Sequence, residues 1–174
     1  MHGWAVKTAV LCDVDGVLTD GSVYVSSDGG ETLRFHKRDG VLIEAARKAG
    51  IVVVLVTDDP NPAPARHRAE KLGVGFCSTV AGELTTTPPS ANAEHAVKVW
   101  RYHSSKLALV QLWRRAGYRV VFIGDSAADA EAMAAADVSW RPVNSMHRDS
   151  DMVAMCVGGN GVLYEVLAHL LGAA

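Results

Sequence analysis

The residues best suited to chemistry are carboxylates that follow apolar segments. Asp13 and Asp15 come after the apolar run 5–11, and Asp125 follows the apolar run 118–123. Positions i and i+2 at the end of a strand point to the same side. The carboxyl ends of parallel strands meet at one edge of a sheet, where ligands bind. Because oxygen ligands suit a hard divalent cation, this spacing predicts a Mg²⁺ site.

The chemistry that fits these residues is cleavage of a phosphate ester through a covalent intermediate. Asp13 would attack phosphorus, while Asp15 would protonate the leaving alkoxide and later help water to hydrolyse the intermediate. Gly16 would let the backbone turn tightly beside the phosphate. The hydroxyl of Thr57 and the ammonium of Lys106 would hold phosphoryl oxygens and offset the negative charge of the transition state.

Several of these residues have structural alternatives. Asp129 follows Asp125 by one helical turn, so it can bind the metal through water or orient its ligands; it could also be a first-turn acid favoured by the helix dipole. Thr57 could merely end a strand, and Lys106 could be a solvated residue at a helix end. Arg38 could be a surface charge or a residue at the edge of the site.

The order of apolar segments predicts an α/β fold with a doubly wound parallel sheet and helices on both faces. Predicted strands of this sheet occupy 5–11, 51–56, 74–77, 118–123, 138–140 and 152–157. Predicted helices occupy 40–49, 65–72, 127–136 and 162–171, and a further helix starts at Ser104 or Ser105 and runs to Ala116. Short strands at 23–25 and 31–35 flank a glycine-rich turn and predict a hairpin. The remaining predictions are a loop at 78–92, a helical turn at 95–100, no helix at 60–64, and Asp39 as the cap of helix 40–49.

Size and composition limit the function classes. The 174 residues suit one domain, 1–174. The net charge of −2 offers no basic face, so we expect no nucleic-acid partner. No apolar run approaches the roughly 20 residues of a membrane span, and the first residues lack a signal-peptide layout. Because neither feature is present, we expect a cytoplasmic protein without a membrane partner. Three scattered cysteines are interpreted as reduced thiols, which agrees with that location.

These motifs resemble those of a known superfamily. The matching stretches, in chain order, are residues 12–21, Gly30-Glu31, Phe35, Arg38-Asp39-Gly40, Thr57, Lys106, Gly124-Asp125-Ser126 and residues 158–161. They resemble the haloacid dehalogenase-like (HAD) phosphatases. Within that superfamily the chain is similar to the small capless phosphatases of phosphorylated keto-sugar acids, the 3-deoxy-D-manno-octulosonate 8-phosphate phosphatases.

The resemblance implies a Rossmann-like HAD core with a small β-hairpin insertion and no cap domain. It implies Asp13 as the nucleophile and Asp15 as the general acid and base. It also implies that Mg²⁺ binds the Asp13 carboxylate, the Asp15 carbonyl and Asp125, and that Thr57 and Lys106 grip the phosphate. Such enzymes are usually homotetramers in which the hairpin packs between subunits.

The chain departs from the family pattern where a substrate would lie. Asp58-Asp59 stands where the family has Gly-Arg, Asn160 stands where a basic residue is common, and the segment 85–102 is longer than usual. Arg38, Asp58 and Asn160 are nevertheless predicted to contact the substrate. The predicted function is a Mg²⁺-dependent phosphomonoesterase that acts on a phosphorylated sugar acid or related small metabolite through an aspartyl phosphate. Two alternatives remain: a phosphatase of a nucleoside-sugar phosphate in a specialised pathway, and a catalytically altered HAD-fold binding or regulatory protein.

Overall fold

The chain forms a six-stranded sheet and a separate two-stranded hairpin in a computed structural model that describes residues 7–80 and 105–172. The strands are β1 (Thr8–Asp13), β2 (Val23–Val25), β3 (Glu31–Leu33), β4 (Ile51–Thr57), β5 (Gly75–Ser78), β6 (Arg119–Ile123), β7 (Val138–Arg141) and β8 (Met152–Val153). The large sheet has the order β5-β4-β1-β6-β7-β8 with every neighbouring pair parallel, and β2 and β3 pair antiparallel. The predicted α/β fold with a parallel sheet and a hairpin is confirmed.

Helices cover both faces of the sheet. They are α1 (Ile43–Lys48), α2 (Ala63–Leu72), α3 (Lys106–Arg115), α4 (Ala130–Ala135) and α5 (Val162–Leu170). The central strand β1 shows why both faces need cover: Val10 and Cys12 pack in the cluster that contains α1, α2 and α5. Ala9 and Leu11 pack in the cluster that contains α3 and α4. A strand buried on both faces reads as a continuous apolar run, which is how the sequence revealed it.

Some element boundaries differ from the predicted ones for identifiable reasons. The exclusion of helix from 60–64 was wrong, since α2 begins at Ala63 and holds Pro64 in its first turn. A proline is tolerated there because its missing N–H would have no helical partner. The last predicted strand shrinks to β8 because the amides of Met155 and Cys156 donate instead to the Glu165 carboxylate on α5.

Asp39 does not cap the helix that follows it, so that prediction was wrong. It lies within a 3-10 turn, Lys37–Gly40, which His36 caps by accepting a hydrogen bond from a backbone amide. The Asp39 carboxylate reaches across the fold and accepts a hydrogen bond of 3.3 Å from the Tyr164 amide in the first turn of α5. Its side chain is 1% exposed, and burial raises the pKa of Asp39 to about 6.

In residues 7–80 and 105–172, the hairpin is the one addition to the sheet and its helices, and no cap domain is present. No helix in these ranges has the length and apolar character needed to span a membrane. The loop predicted at 78–92 lies mostly outside the described residues, and the turn predicted at 95–100 and the long segment 85–102 lie wholly outside them. That residues 1–174 form a single domain stays a prediction.

We predict that Asp39→Asn changes how stability depends on pH. The folded-state pKa of Asp39 lies above its usual value. The folded protein therefore binds this proton more tightly than the unfolded chain, and the stability contributed by protonation is lost as pH rises through about 6. Relative to the Asn variant, the wild type should lose about 2 kcal/mol between about pH 4.5 and pH 7.5, out of about 3 kcal/mol for the whole shift of the Asp39 pKa from its usual value. Urea unfolding across this range measures the difference.

The control is Asp149→Asn, which removes the same charge from an exposed side chain. Equal pH profiles for wild type and Asp39→Asn would show that the buried carboxyl does not titrate as described.

Candidate active site

Three strand ends bring the predicted residues to one edge of the sheet. Asp13 ends β1 and pairs in register with Val56 of β4, and Thr57 is the last residue of β4. On the other side, β6 runs parallel to β1 and ends at Ile123, two residues before Asp125. Because all three strands run in the same direction, their carboxyl ends form a common edge, as the sequence predicted.

Lys106 is a buried cation at the centre of this edge. Its Nζ lies 2.8 Å from Asp13 Oδ1 and 2.8 Å from Asp129 Oδ1, and the Lys106 side chain is 5% exposed. The alternative of a solvated lysine is therefore wrong. Burial alone would lower the pKa of Lys106, but the Asp13 and Asp129 carboxylates outweigh it and raise that pKa. Lys106 therefore stays charged. Ser105 caps α3 by accepting a hydrogen bond from the Ala108 amide, so the helix begins with Lys106 beside the two carboxylates.

Three carboxylates crowd this edge more than one lysine can compensate. Oxygen atoms of Asp13, Asp125 and Asp129 all lie within 4.8 Å of one another. Burial raises the pKa of Asp13, opposed by Lys106 and reinforced by Asp129 and Asp125. Burial, followed by the Asp129 charge, raises the pKa of Asp125 to about 6. Buried carboxylates that repel one another favour a cation, and an all-oxygen set fits Mg²⁺.

Asp129 orients this group through bonds that occupy both of its oxygens. Asp129 Oδ1 accepts a hydrogen bond from Lys106 Nζ, and Oδ2 accepts hydrogen bonds from the amides of Asp125 at 3.1 Å and Ser126 at 3.2 Å. Asp129 therefore both holds the Asp125 amide and forms a capping box with Ser126 at the start of the following helix, as a first-turn acid would. Gly124 is required beside it, since a Cβ there would overlap the Asp129 side chain. That Asp129 contacts the metal, directly or through water, stays a prediction.

Gly16 leaves room for the Asp125 carboxylate as well as turning the chain. Its φ of +84° is a left-handed conformation, and a Cβ there would overlap the Asp125 carboxylate. Gly158 and Gly159 pack against the same turn, where the Gly159 amide donates to the Val17 carbonyl at 2.9 Å. A Cβ at Gly158 would overlap the Gly16 carbonyl oxygen, so the close approach depends on glycine.

Asp15 is half-buried, two residues after the end of β1, where the carboxyl edge of the sheet opens to solvent; we call this opening the mouth of the site. Burial, followed by the Asp59 charge, raises the pKa of Asp15. A carboxyl that keeps its proton closer to neutral pH suits a general acid. The Thr19 hydroxyl lies 3.3 Å from Asp15 Oδ1 and donates to it. Thr19 was part of the motif in the sequence, but its bond to Asp15 was missed.

A second missed residue supports Asp125. The Ser145 hydroxyl, 2% exposed, donates to the Asp125 carbonyl at 2.7 Å, and the His147 amide donates to the same oxygen at 2.9 Å. No local pattern around Ser145 indicated this contact, because it depends on how the chain returns after β7. The backbone of Asp125 is thus held from both sides, by Asp129 and by Ser145.

Thr57 and Asp58 both lie at the site. Thr57 is buried, and its hydroxyl oxygen accepts a hydrogen bond from the Asp59 amide at 3.0 Å, which leaves its own hydrogen to donate. Asp58 lies 3.6 Å from Lys106 Nζ with its side chain 49% exposed. Both residues are placed where a bound phosphate ester could contact them, and their roles stay predictions.

Arg38 and Asn160 stand apart from the buried group. Both are exposed. The Arg38 guanidinium carbon lies 4.3 Å from the centroid of the Tyr164 ring, and Asn160 donates its amide to the Val157 carbonyl. Among the described residues, no hydrogen bond or ion pair links either one to Asp13 or Lys106. Their predicted contacts with substrate stay predictions.

The family assignment follows from a comparison with known proteins. A family model of haloacid dehalogenase-like hydrolases matches residues 37–137, more than half of the chain. The chain belongs to the haloacid dehalogenase-like hydrolases. The resemblance noted in the sequence is confirmed.

Several relatives of this hydrolase are phosphatases. The 3-deoxy-D-manno-octulosonate 8-phosphate phosphatase of Haemophilus influenzae is 28% identical over 170 residues, which cover 94% of this chain and 82% of that protein. The crystal structure of the Moraxella catarrhalis phosphatase of the same name, in complex with magnesium, phosphate and a KDO molecule, is 27% identical with a TM-score of 0.74 and covers 95% and 86% of the two chains. The cobalt-bound Haemophilus influenzae structure is 26% identical with a TM-score of 0.72, covering 97% and 89%.

These relatives confirm the prediction that this hydrolase is an enzyme of the phosphoric monoester hydrolase class. The acidic group of Asp13, Asp125 and Asp129, together with the magnesium in the Moraxella structure, bears out Mg²⁺ as the predicted cofactor.

We predict that Gly16→Ala inactivates the protein, whereas Gly29→Ala does not. The two glycines have nearly the same φ, +84° and +83°, so both alanines carry the same backbone strain. Only the first meets an obstacle, because nothing lies within 4 Å of a Cβ at Gly29. Displacement of the Asp125 carboxylate should lower kcat/KM at least about a hundredfold, as expected for a misplaced catalytic group. Equal activity in the two variants would contradict this steric role.

Lys106→Gln should destabilise the fold by about 3 to 5 kcal/mol, because it leaves buried carboxylates without their partner. Urea unfolding without added metal measures the loss. Lys48→Gln is the control, since Lys48 is 76% exposed and pairs with Glu44 only at 3.6 Å on the surface of α1. A loss for Lys106→Gln no larger than for Lys48→Gln would be inconsistent with a buried ion pair.

Proposed function

We propose that the protein is a Mg²⁺-dependent phosphomonoesterase that acts on a phosphorylated sugar acid or related small metabolite through an aspartyl-phosphate intermediate. The observation that carries the proposal is the buried Asp13 carboxylate, held 2.8 Å from Lys106 at the carboxyl edge of the sheet. Family membership and phosphatase relatives support the reaction class.

The Asp13 and Asp125 carboxylates and the Asp15 backbone carbonyl would hold Mg²⁺. When bound, this ion would reduce the repulsion between the phosphate ester and the attacking carboxylate. Asp129 would keep Asp125 in place through its bond to the Asp125 amide. The raised pKa of Asp125 and the crowding of the three carboxylates support this arrangement.

In the first step, a carboxylate oxygen of Asp13 forms a bond to phosphorus while the bond from phosphorus to the ester oxygen breaks. Asp15 gives its proton to the departing alkoxide, which leaves as the alcohol. Lys106 and the Thr57 hydroxyl stabilise the charge on the phosphoryl oxygens. The half-buried position of Asp15 lets a leaving group reach it from solvent.

In the second step, a water oxygen bonds to phosphorus while the bond between phosphorus and Asp13 breaks. The Asp15 carboxylate, now without its proton, accepts a proton from that water. Inorganic phosphate leaves, and the Asp13 carboxylate is regenerated. Asp13 thus alternates between its free and phosphorylated forms, and Asp15 between its protonated and ionised forms, without an external oxidant or base.

We also propose that the protein forms a homotetramer with the hairpin at a subunit contact. Val23, Tyr24 and Val25 on β2 are 47%, 57% and 67% exposed, an unusual position for three consecutive apolar side chains. Light scattering on the intact chain tests the assembly, and a monomer would contradict it. Cytoplasmic location stays a prediction from the sequence.

We predict that Asp13→Asn removes Mg²⁺-dependent hydrolysis of para-nitrophenyl phosphate, lowering kcat at least about a thousandfold because no carboxylate attacks phosphorus. Release of nitrophenolate with and without EDTA measures it. A variant as active as the wild type would contradict the mechanism. A wild type that hydrolyses no ester would favour the alternative of a binding protein.

Asp15→Asn separates the acid from the nucleophile. An alkyl phosphate such as glucose 6-phosphate needs a proton on its leaving oxygen, whereas nitrophenolate leaves readily without one. The variant should lose about a hundredfold or more in kcat/KM on the alkyl ester and clearly less on the aryl ester. Equal losses on the two esters would argue against Asp15 as the acid.

A further inference from the structure

The loop after β4 and the hairpin place negative charge where the leaving group would lie. The Asn61 amide donates to Asp59 Oδ1 at 2.7 Å, and the Asn61 side chain donates to Glu31 Oε2 on β3 at 2.8 Å. Asn61 therefore links the side chains of Glu31 and Asp59. The Asp59 amide in turn donates to Thr57 Oγ1 at 3.0 Å, so these linked residues adjoin the proposed phosphate position.

Asp58 and Asp59 lie near the group that would protonate the leaving alkoxide. Burial is the first cause of the raised pKa of Asp15, and the Asp59 and Asp58 charges add to it, so both carboxylates are close to Asp15. Asp58 also lies 3.6 Å from Lys106 Nζ, at the boundary between phosphate and leaving group. Whatever is bonded to the ester oxygen near Asp15 is thus close to Asp58 and Asp59.

Three arginines of the described residues have partners other than Asp58 and Asp59. Arg34 pairs with Asp20 at 3.0 Å, and Arg38 stacks over Tyr164. Arg68 donates to the His36 carbonyl at 2.9 Å. Within residues 7–80 and 105–172, no arginine forms an ion pair with Asp58 or Asp59, and Lys106 is the one cation that does so, with Asp58.

We propose that Asp58 and Asp59 select phosphate esters whose leaving group carries an ammonium and no carboxylate, such as an amino-sugar phosphate. This inference rests on the proposed phosphatase function and chooses among its substrates. A carboxylate on the leaving group would meet Asp58 and Asp59 with like charge, whereas an ammonium would pair with them. The substrate would then differ from the sugar acid named for the relatives, and Asp58-Asp59 is the physical reason.

Three esters that differ in one charge test the proposal: glucosamine 6-phosphate, glucose 6-phosphate and 6-phosphogluconate. The value of kcat/KM should fall in that order by about two- to fivefold at each step, the range of exposed charge pairs. Each ester is also measured as a competitive inhibitor of para-nitrophenyl phosphate hydrolysis. The order can then be read from inhibition constants even where turnover is slow. Added salt should reduce the differences in kcat/KM between the esters, because the charge pairs between the leaving group and Asp58 or Asp59 are exposed.

The double variant Asp58→Asn/Asp59→Asn keeps the side-chain shapes and removes both charges. It should bring the amine and carboxylate esters to within about twofold of each other, because the charge preference at this mouth is lost. Activity on the neutral glucose ester reports whether the variant is folded and catalytic. Glu70→Gln is the matched control: it removes one charge from the last turns of α2, which ends at the opposite edge of the sheet, and should keep the order.

The outcomes separate this inference from the function on which it rests. Hydrolysis of para-nitrophenyl phosphate with 6-phosphogluconate preferred by the wild type would overturn the charge preference alone. An amine preference that persists in the double variant would remove Asp58 and Asp59 as its cause. Failure to hydrolyse any ester would contradict the phosphatase function itself, and the inference with it.

Discussion

Negative charge crowded into a buried edge is the constraint on which the other features of this site depend. Asp13 and Asp129 share one ammonium at 2.8 Å each, and Asp125 lies within reach of both carboxylates. Buried ions are expensive unless they are paired and hydrogen-bonded. The start of α3 therefore delivers Lys106 to this point, and Gly16 lacks a side chain so that the Asp125 carboxylate has room.

The fold supplies this edge by covering a parallel sheet on both faces. Cover on both faces lets β1 be apolar almost throughout and end in Asp13, so the proposed nucleophile is held by a rigid element. The wall of the site is also fixed from a distance. Asp39 binds the first turn of α5, and the glycines that precede α5 press against the turn at Gly16. Stability and site geometry thus share the same contacts.

The proposed phosphate position and the solvent side of the site differ in the sign of their charge. At the proposed phosphate position, positive charge from Lys106 and a divalent cation would oppose a concentrated anion. Toward solvent, Asp58 and Asp59 would present negative charge to a leaving group. The Haemophilus influenzae relative is 28% identical and is named as a phosphatase, and in our proposal the charge at the mouth depends on these two positions. The same fold can therefore serve esters of different charge without altering the catalytic carboxylates.

The sequence by itself determined the sheet, most helices and the convergence of Asp13, Thr57 and Asp125, because apolar runs and the polar residues at their ends are local patterns. Lys106 was found through its motif. Only the tertiary structure decided what Asp39 caps, since its partner in α5 lies 125 residues away. It also decided that Ser145 supports Asp125. Such contacts depend on how distant segments meet, and no periodicity within either segment records them.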